Sequence, residues 1–217
     1  MEFRINVLVQ HYPMLIAGAW VTLLVVAIAL TIGVVLGACL CAMRLSGFTW
    51  ARRVAAGYIL FFRVTPEMVL IFWAYFCVPL VTGLRVSGLL AGSITLGLVA
   101  SAYYAEIFRA GIQGVPQGQT EGARSLGLRG LPLWRFVILP QALRTMVPPL
   151  VNYFTELVKN TTLLAAIGVG ELALQAYLLG GQTYRYVEFL TAIACIYFAL
   201  IFPLSLASRR LEHRAAG

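Results

Sequence analysis

Long apolar runs, punctuated by short clusters of arginine and glycine, make up most of this chain. No Asp, Glu, Lys or Arg occurs between Arg4 and Arg44, between Arg85 and Glu106, or from Phe189 to Ser208. A helix needs about 20 mostly apolar residues to cross the roughly 30 Å hydrocarbon layer of a bilayer, and these runs are long enough. The pattern predicts an all-α, polytopic membrane protein forming a single domain over residues 1–217. Five spans are expected, at about Leu15–Met43, Val54–Val81, Val86–Phe108, Met146–Val169 and Val187–Ala207. Pro13 suits the first turn of the first helix, which leaves "MEFRINVLVQHY" before it at the interface. Gly33 and Gly37, four apart in span one, permit close helix packing.

Arginine placement orients the spans. Arg44, Arg52 and Arg53 follow span one. Arg109, Arg124, Arg129, Arg135 and Arg144 lie between spans three and four, and Arg209, Arg210 and Arg214 follow span five. The other side has only Arg4, Arg85 and Arg185. Arginine-rich loops stay in the cytoplasm, so the N-terminus is expected outside and the C-terminus in the cytoplasm. Topology and contact with anionic lipid account for the net charge of +8 without nucleic acid. Only 11% of residues are charged, against about a quarter in soluble domains.

Other chemistry is sparse. Cys39, Cys41, Cys77 and Cys195 lie in apolar segments with no metal or redox spacing, and they read as packing residues. The two histidines, His11 and His213, lie near the termini and Asp is absent. No catalytic or metal-binding cluster is therefore expected. No Gly-x-x-x-x-Gly-Lys-Ser/Thr loop is present either, so the chain has no ATP site of its own.

Ionisable residues inside spans are costly and mark candidate functional positions. Span two carries Arg63 and Glu67 in "RVTPE". Thr65 can cap a helix that restarts at Pro66, with Glu67 in its first turn. Span two is therefore expected to break there, as in many transporter binding sites. Arg63 and Glu67 can alternatively neutralise each other across one turn. Span four carries Glu156 and Lys159, three apart and able to pair, followed by Asn160, Thr161 and Thr162. This polar stripe can line a solute path or bind neighbouring helices together. Gly168, Gly170 and Glu171 are expected to form the turn at the end of span four.

Between spans three and four lies a loop of about residues 109–144. A short helix is expected between Gln119 and Leu128, bracketed by Pro116 and Pro132. Gly122, Ala123 and Gly127 would keep one of its surfaces thin enough for a partner to approach closely. On physical grounds alone, such a loop can equally lie on the lipid surface.

These residues resemble the cytoplasmic motif of permease subunits in binding-protein-dependent ABC importers. That motif runs Glu-Ala-Ala, three residues, Gly, nine residues, Ile, one residue, Leu-Pro. Here Glu121, Gly122, Ala123, Gly127, Val137, Leu139 and Pro140 stand at that spacing, departing at Gly122 and Val137. "FFRVTPEMV", "SAYYAEIFRAGIQGVPQGQ" and "ELVKNTTLLAAIGVGEL" resemble the polar amino-acid branch. That branch usually has Gly at position 64 and an apolar residue at position 67, unlike Val64 and Glu67 here. The resemblance implies ATPase coupling through Glu121, Gly122, Ala123, Gly127, Leu139 and Pro140. It implies a solute path near Arg63, Thr65, Glu67, Glu156, Lys159 and Asn160. Two ATPase subunits carrying ATP and Mg, a second permease, an extracytoplasmic binding protein and a small polar solute are the implied partners. A bacterial inner membrane is the implied location. An ATP-independent channel or secondary carrier is the alternative to an ATP-driven importer.

Overall fold

The computed structural model describes residues 3–215; for Ala207 and residues 209–215 it describes the backbone alone. The side chains of Arg209, Arg210 and Arg214 thus lie outside the described residues. Among the described residues, three helices are long and apolar enough to cross a membrane, and the candidate spans number up to five if each of two bent pairs counts as one.

Helix α1 (Ile5–Leu45) is 41 residues long. At 1.5 Å per residue it is roughly twice as long as the hydrocarbon layer is thick. It begins at Ile5 and keeps Pro13 in its interior, which corrects the expectation that Pro13 stands in the first turn. The reason is tertiary. Val7 and Leu8 pack on a cluster formed by Leu15, Leu172, Ala176, Leu179 and Phe189, and this burial offsets the hydrogen bond that an interior proline forfeits.

Helix α5 (Gly88–Gln113) is the hub, with buried Ala91, Gly92, Ser93, Gly97, Ala100, Ser101 and Ala105 along it. The predicted glycine seam of α1 meets it. A Cβ on Gly33 would sit 2.8 Å from the Ala100 Cβ, and one on Gly37 would sit 2.9 Å from that of Tyr104.

Span two is two arms. Helix α2 (Thr49–Val64) meets the segment Glu67–Thr82 at 103°. The second arm comprises α3 (Glu67–Phe72), a π-helical turn at Trp73–Cys77, and α4 (Val78–Thr82). Helix α2 crosses α5 near the arginine-rich end. The Tyr58 hydroxyl bonds Leu98 O at 3.1 Å and Ser101 Oγ at 2.9 Å, while Ala55 and Ile59 pack with Ala102 and Ala105. The expected break of span two at Thr65–Pro66 is present, as a 103° bend. Thr65 does not cap α3. Its hydroxyl donates back to Phe61 O at 2.8 Å, the i−4 bond open to a threonine at a helix end.

Helix α6 (Gln117–Ser125) follows α5. The next segment is a continuous helical run. It comprises α7 (Leu131–Leu133), a π-helical turn at Trp134–Ile138, α8 (Leu139–Asn160) and a 3₁₀ turn at Thr161–Ile167. A 50° bend then leads into α9 (Leu172–Thr183), a helix the sequence pattern did not predict. Gly168, Gly170 and Glu171 do form a turn, and it opens α9 against α1 and α10 (Tyr186–Ala215). Both π-turns come two residues before a proline, Pro79 and Pro140. The amides of Val78 and Leu139 reach back to Trp73 O and Trp134 O. A wider turn relieves the clash of a proline ring with the preceding helix carbonyls.

Candidate functional site

Two regions hold the residues singled out by sequence. The first is the loop between α5 and α8. Helix α6 starts after Pro116, and the Gln119 amide donates to Pro116 O at 3.0 Å. It ends in a paired closure: Leu128 N–H reaches Ala123 O and Gly127 N–H reaches Arg124 O, both at 3.0 Å. This double bond needs a left-handed residue after the helix, and Gly127 has φ 83°. Gly127 is therefore the helix stop, and a Cβ there would also meet nothing within 4 Å. Gly122 likewise leaves open space, since a Cβ there would meet nothing within 4 Å.

Glu121 is exposed, while Ala123 is 6% exposed and turned inward. Leu126 and Leu131 are 82% and 77% exposed. They extend the accessible apolar surface beside Glu121 and carry no signal distinguishing them from core leucines in the sequence. Gln141 Nε2 donates to Val137 O at 3.0 Å and to Gln119 Oε1 at 3.5 Å, linking α6 to the foot of α8. Leu139 and Pro140 open α8 directly after the π-turn.

The second region lies at the break in span two. Glu67 opens α3 and is partly buried, with Oε2 shielded from solvent and without a hydrogen-bond partner. Its carboxylate is within electrostatic range of Glu156, and both act on the Tyr153 hydroxyl. Glu156 is neutralised by Lys159 at 2.6 Å, as the three-residue spacing predicted. No cation pairs with Glu67 among the described residues. Asn160 is half-buried at the end of α8, where the following 3₁₀ turn packs on α3. Lys159 and Thr162 also border a mostly apolar cleft of about 450 Å³ against α10.

Arg63 does not pair with Glu67. Its guanidinium lies 5.2 Å from the centre of the Tyr103 ring, a cation–π distance. Tyr103 in turn stacks on Tyr153 at 4.6 Å, and Tyr104 meets Tyr153 edge-on at 5.1 Å. This tyrosine group joins the surroundings of Arg63 to those of Glu67. It escaped the sequence reading because Tyr103 and Tyr153 lie on different helices. Only the doublet Tyr103–Tyr104 hinted at it.

Three lines of likeness bear on these features. Residues 29–217 match the family described as "Binding-protein-dependent transport system inner membrane component". The chain is 36% identical over 211 residues to the probable glutamine ABC transporter permease protein GlnM of Bacillus subtilis, covering 97% of each chain. It is 35% identical over 215 residues to the glutamine transport system permease protein GlnP of Escherichia coli K12, covering 99% of this chain and 98% of that one. The arginine transport system permease protein ArtQ of B. subtilis is 30% identical over 214 residues, again with 99% and 98% coverage.

Among solved structures, an amino acid ABC transporter crystallised with histidines superposes with a TM-score of 0.89. It shows 36% identity and covers 99% of this chain and 100% of its own. The MetNI methionine transporter, at 22% identity and a TM-score of 0.73, shares the fold. With a helical bundle, a short helix standing out from it, and matches over nearly the whole length, this chain belongs to the inner-membrane components of binding-protein-dependent transport systems, the permease subunits of ABC importers.

Proposed function

We propose that this chain forms the transmembrane pathway of an ATP-driven importer for a polar amino acid in a bacterial inner membrane. The observation that carries this is the short, exposed helix α6, with accessible Glu121 and Gly122 and a Gly127 stop. Such a knob suits a groove on a separate ATPase subunit, with Leu139 and Pro140 passing its displacement into α8. The relatives named for glutamine and arginine transport support an amino acid as the solute.

On this reading, two ATPase subunits hold ATP and Mg on the cytoplasmic side, where the arginine-rich end and the C-terminus lie. A second permease copy or homologue completes the pathway, and an extracytoplasmic protein delivers solute. Closure of the ATPases moves α6 and tips the spans between outward- and inward-open states. Glu67 holds the solute ammonium beside Thr65 and Asn160. Glu156 and Lys159 neutralise each other at the edge of the path, and Arg63 stands below the break. A carboxylate at such depth costs a few kcal/mol and fits a site whose cation arrives with the solute.

The test is uptake by the complex reconstituted in vesicles with its ATPase and binding protein. Uptake should require ATP, and the chain alone should transport nothing. Transport by the chain alone would sink the importer reading in favour of a carrier or channel. Gly127→Ile forces a β-branched residue into the left-handed region. It should lower solute moved per ATP about fivefold, on an expected cost of roughly 1–2 kcal/mol, while the subunit still inserts.

A further inference from the structure

We infer that α2 and the end of α1 build a binding cleft for the phosphate of an anionic phospholipid in the cytoplasmic leaflet. A cleft of about 390 Å³ lies between α2 and α5, bordered by Arg44, Arg63, Tyr103 and Glu106, with Ile59 and Leu60 as apolar wall.

Its charges do not balance. The Glu106 carboxylate is taken by Arg109, whose Nε lies 3.1 and 3.2 Å from its two oxygens and whose terminal nitrogen lies at 2.6 Å. Arg44 comes only within 3.8 Å of the same carboxylate, and its buried Nε has no hydrogen-bond partner. Arg63 rests on the Tyr103 face and forms no hydrogen bond or ion pair among the described residues. Three guanidiniums thus stand around one carboxylate, which only Arg109 binds closely. Two of them border the cleft with donors to spare, and guanidinium donors match the oxygens of a phosphate.

The geometry of α2 selects the occupant. Helix α2 turns 103° away from the segment Glu67–Thr82. Helix α2 starts just after Arg44 at the arginine-rich end and packs from there across α1 and α5. Trp50, Arg52 and Arg53 are exposed on it, the pattern of an interfacial helix. Leu60 and Val64, 64% and 71% exposed, offer apolar contact beside the guanidiniums. A phosphodiester carrying acyl chains satisfies both surfaces. A zwitterionic solute would bring an ammonium into a cleft with excess positive charge. Basic pockets between membrane helices on the cytoplasmic side bind anionic headgroups in this way. The inference rests on the orientation proposed above and not on the identity of the solute.

The experiment uses the detergent-purified, delipidated complex of this chain with its ATPase. Binding of short-chain phosphatidylglycerol, short-chain phosphatidylcholine and inorganic phosphate is measured separately, without transport. Phosphatidylglycerol should bind, phosphatidylcholine should not, and phosphate should bind far more weakly than the lipid. Each arginine near a lipid surface is worth about 1 kcal/mol, so Arg63→Gln should weaken phosphatidylglycerol about fivefold. Arg44→Gln with Arg63→Gln should weaken it roughly thirtyfold, whereas Arg52→Gln with Arg53→Gln should leave it near the parent value. Arg63 makes no hydrogen bond among the described residues, so its variant keeps the test open even if the double variant folds poorly. Equal binding of phosphatidylcholine, or parent-like binding by Arg63→Gln, overturns the inference. Inorganic phosphate binding as tightly as the lipid would make the cleft a site for free oxyanions and overturn the lipid assignment.

Discussion

Glu67 and Glu171 occupy matching positions in the two bent spans. Each follows a break, at 103° and 50° respectively, and each begins the next helix, where the helix dipole favours a carboxylate. Their surroundings differ. Glu171 is fully buried, and its oxygens accept from Ala173 N–H and Leu174 N–H at 2.8 Å. The Tyr197 hydroxyl adds a longer bond of 3.3 Å. Thr22 of α1 takes the neighbouring Leu172 amide at 3.2 Å, so the start of α9 is satisfied from three directions. Glu67 has one buried oxygen with no partner among the described residues. An acid closed by backbone and hydroxyl donors fixes a bend. An acid left open at a bend is suited to receive a cation from outside the chain.

This contrast can be broken by mutation. Glu171→Ala strands two amides and a hydroxyl and should cost on the order of 3 kcal/mol. It should appear as a clear fall in the thermal midpoint of the detergent-purified protein, with transport lost as a consequence. An unchanged midpoint would remove the structural half of the comparison. Glu67→Gln should leave that midpoint unchanged or raise it, because no native contact is lost and an unpaired, partly buried carboxylate is removed. Its uptake in vesicles should nonetheless fall about tenfold, the equivalent of 1.4 kcal/mol. Parent-rate uptake with unchanged specificity would show that Glu67 receives nothing. Tyr197→Phe removes the longest bond to Glu171 and should cost about 0.5–1 kcal/mol without altering uptake per folded complex. A larger loss would mean that the hydroxyl, and not the two amides, holds the bend.

Much of the architecture was legible because membrane crossing imposes length and apolarity on contiguous sequence. The runs around Val25, Val99 and Phe198 each announced a span. Thr65–Pro66 announced a break because proline cannot continue a helix without disturbing its ladder. Glu156 and Lys159 announced their pairing because three residues make one helical turn. The start of α1 was not legible, since Val7 and Leu8 are helical through contact with residues some 170 positions away. Helix α9 was missed because Gly168, Gly170, Gly180 and Gly181 make its sequence look like loop. Its fixed start depends on Thr22 and Tyr197, which come from α1 and α10.

The alternative in which Glu67 neutralises Arg63 fails for a related reason. Glu67 is the nearest opposite charge in sequence, but the 103° turn carries the two side chains apart and sets Arg63 on Tyr103. Similarly, Gly127 matched a spacing without revealing that its left-handed backbone, at φ 83°, was the requirement.

By itself the sequence determined the all-helical class, the long apolar runs able to span a membrane, the place of the break at Pro66 and the exposed loop with its Glu121–Pro140 spacing. All of these follow from local rules of length, periodicity and proline geometry. Only the tertiary structure decided the angle at each break, which acids are satisfied, and which arginines are left with spare donors. Those depend on side chains from separate helices meeting in space, and nothing in the spacing along one helix encodes what another will bring to it.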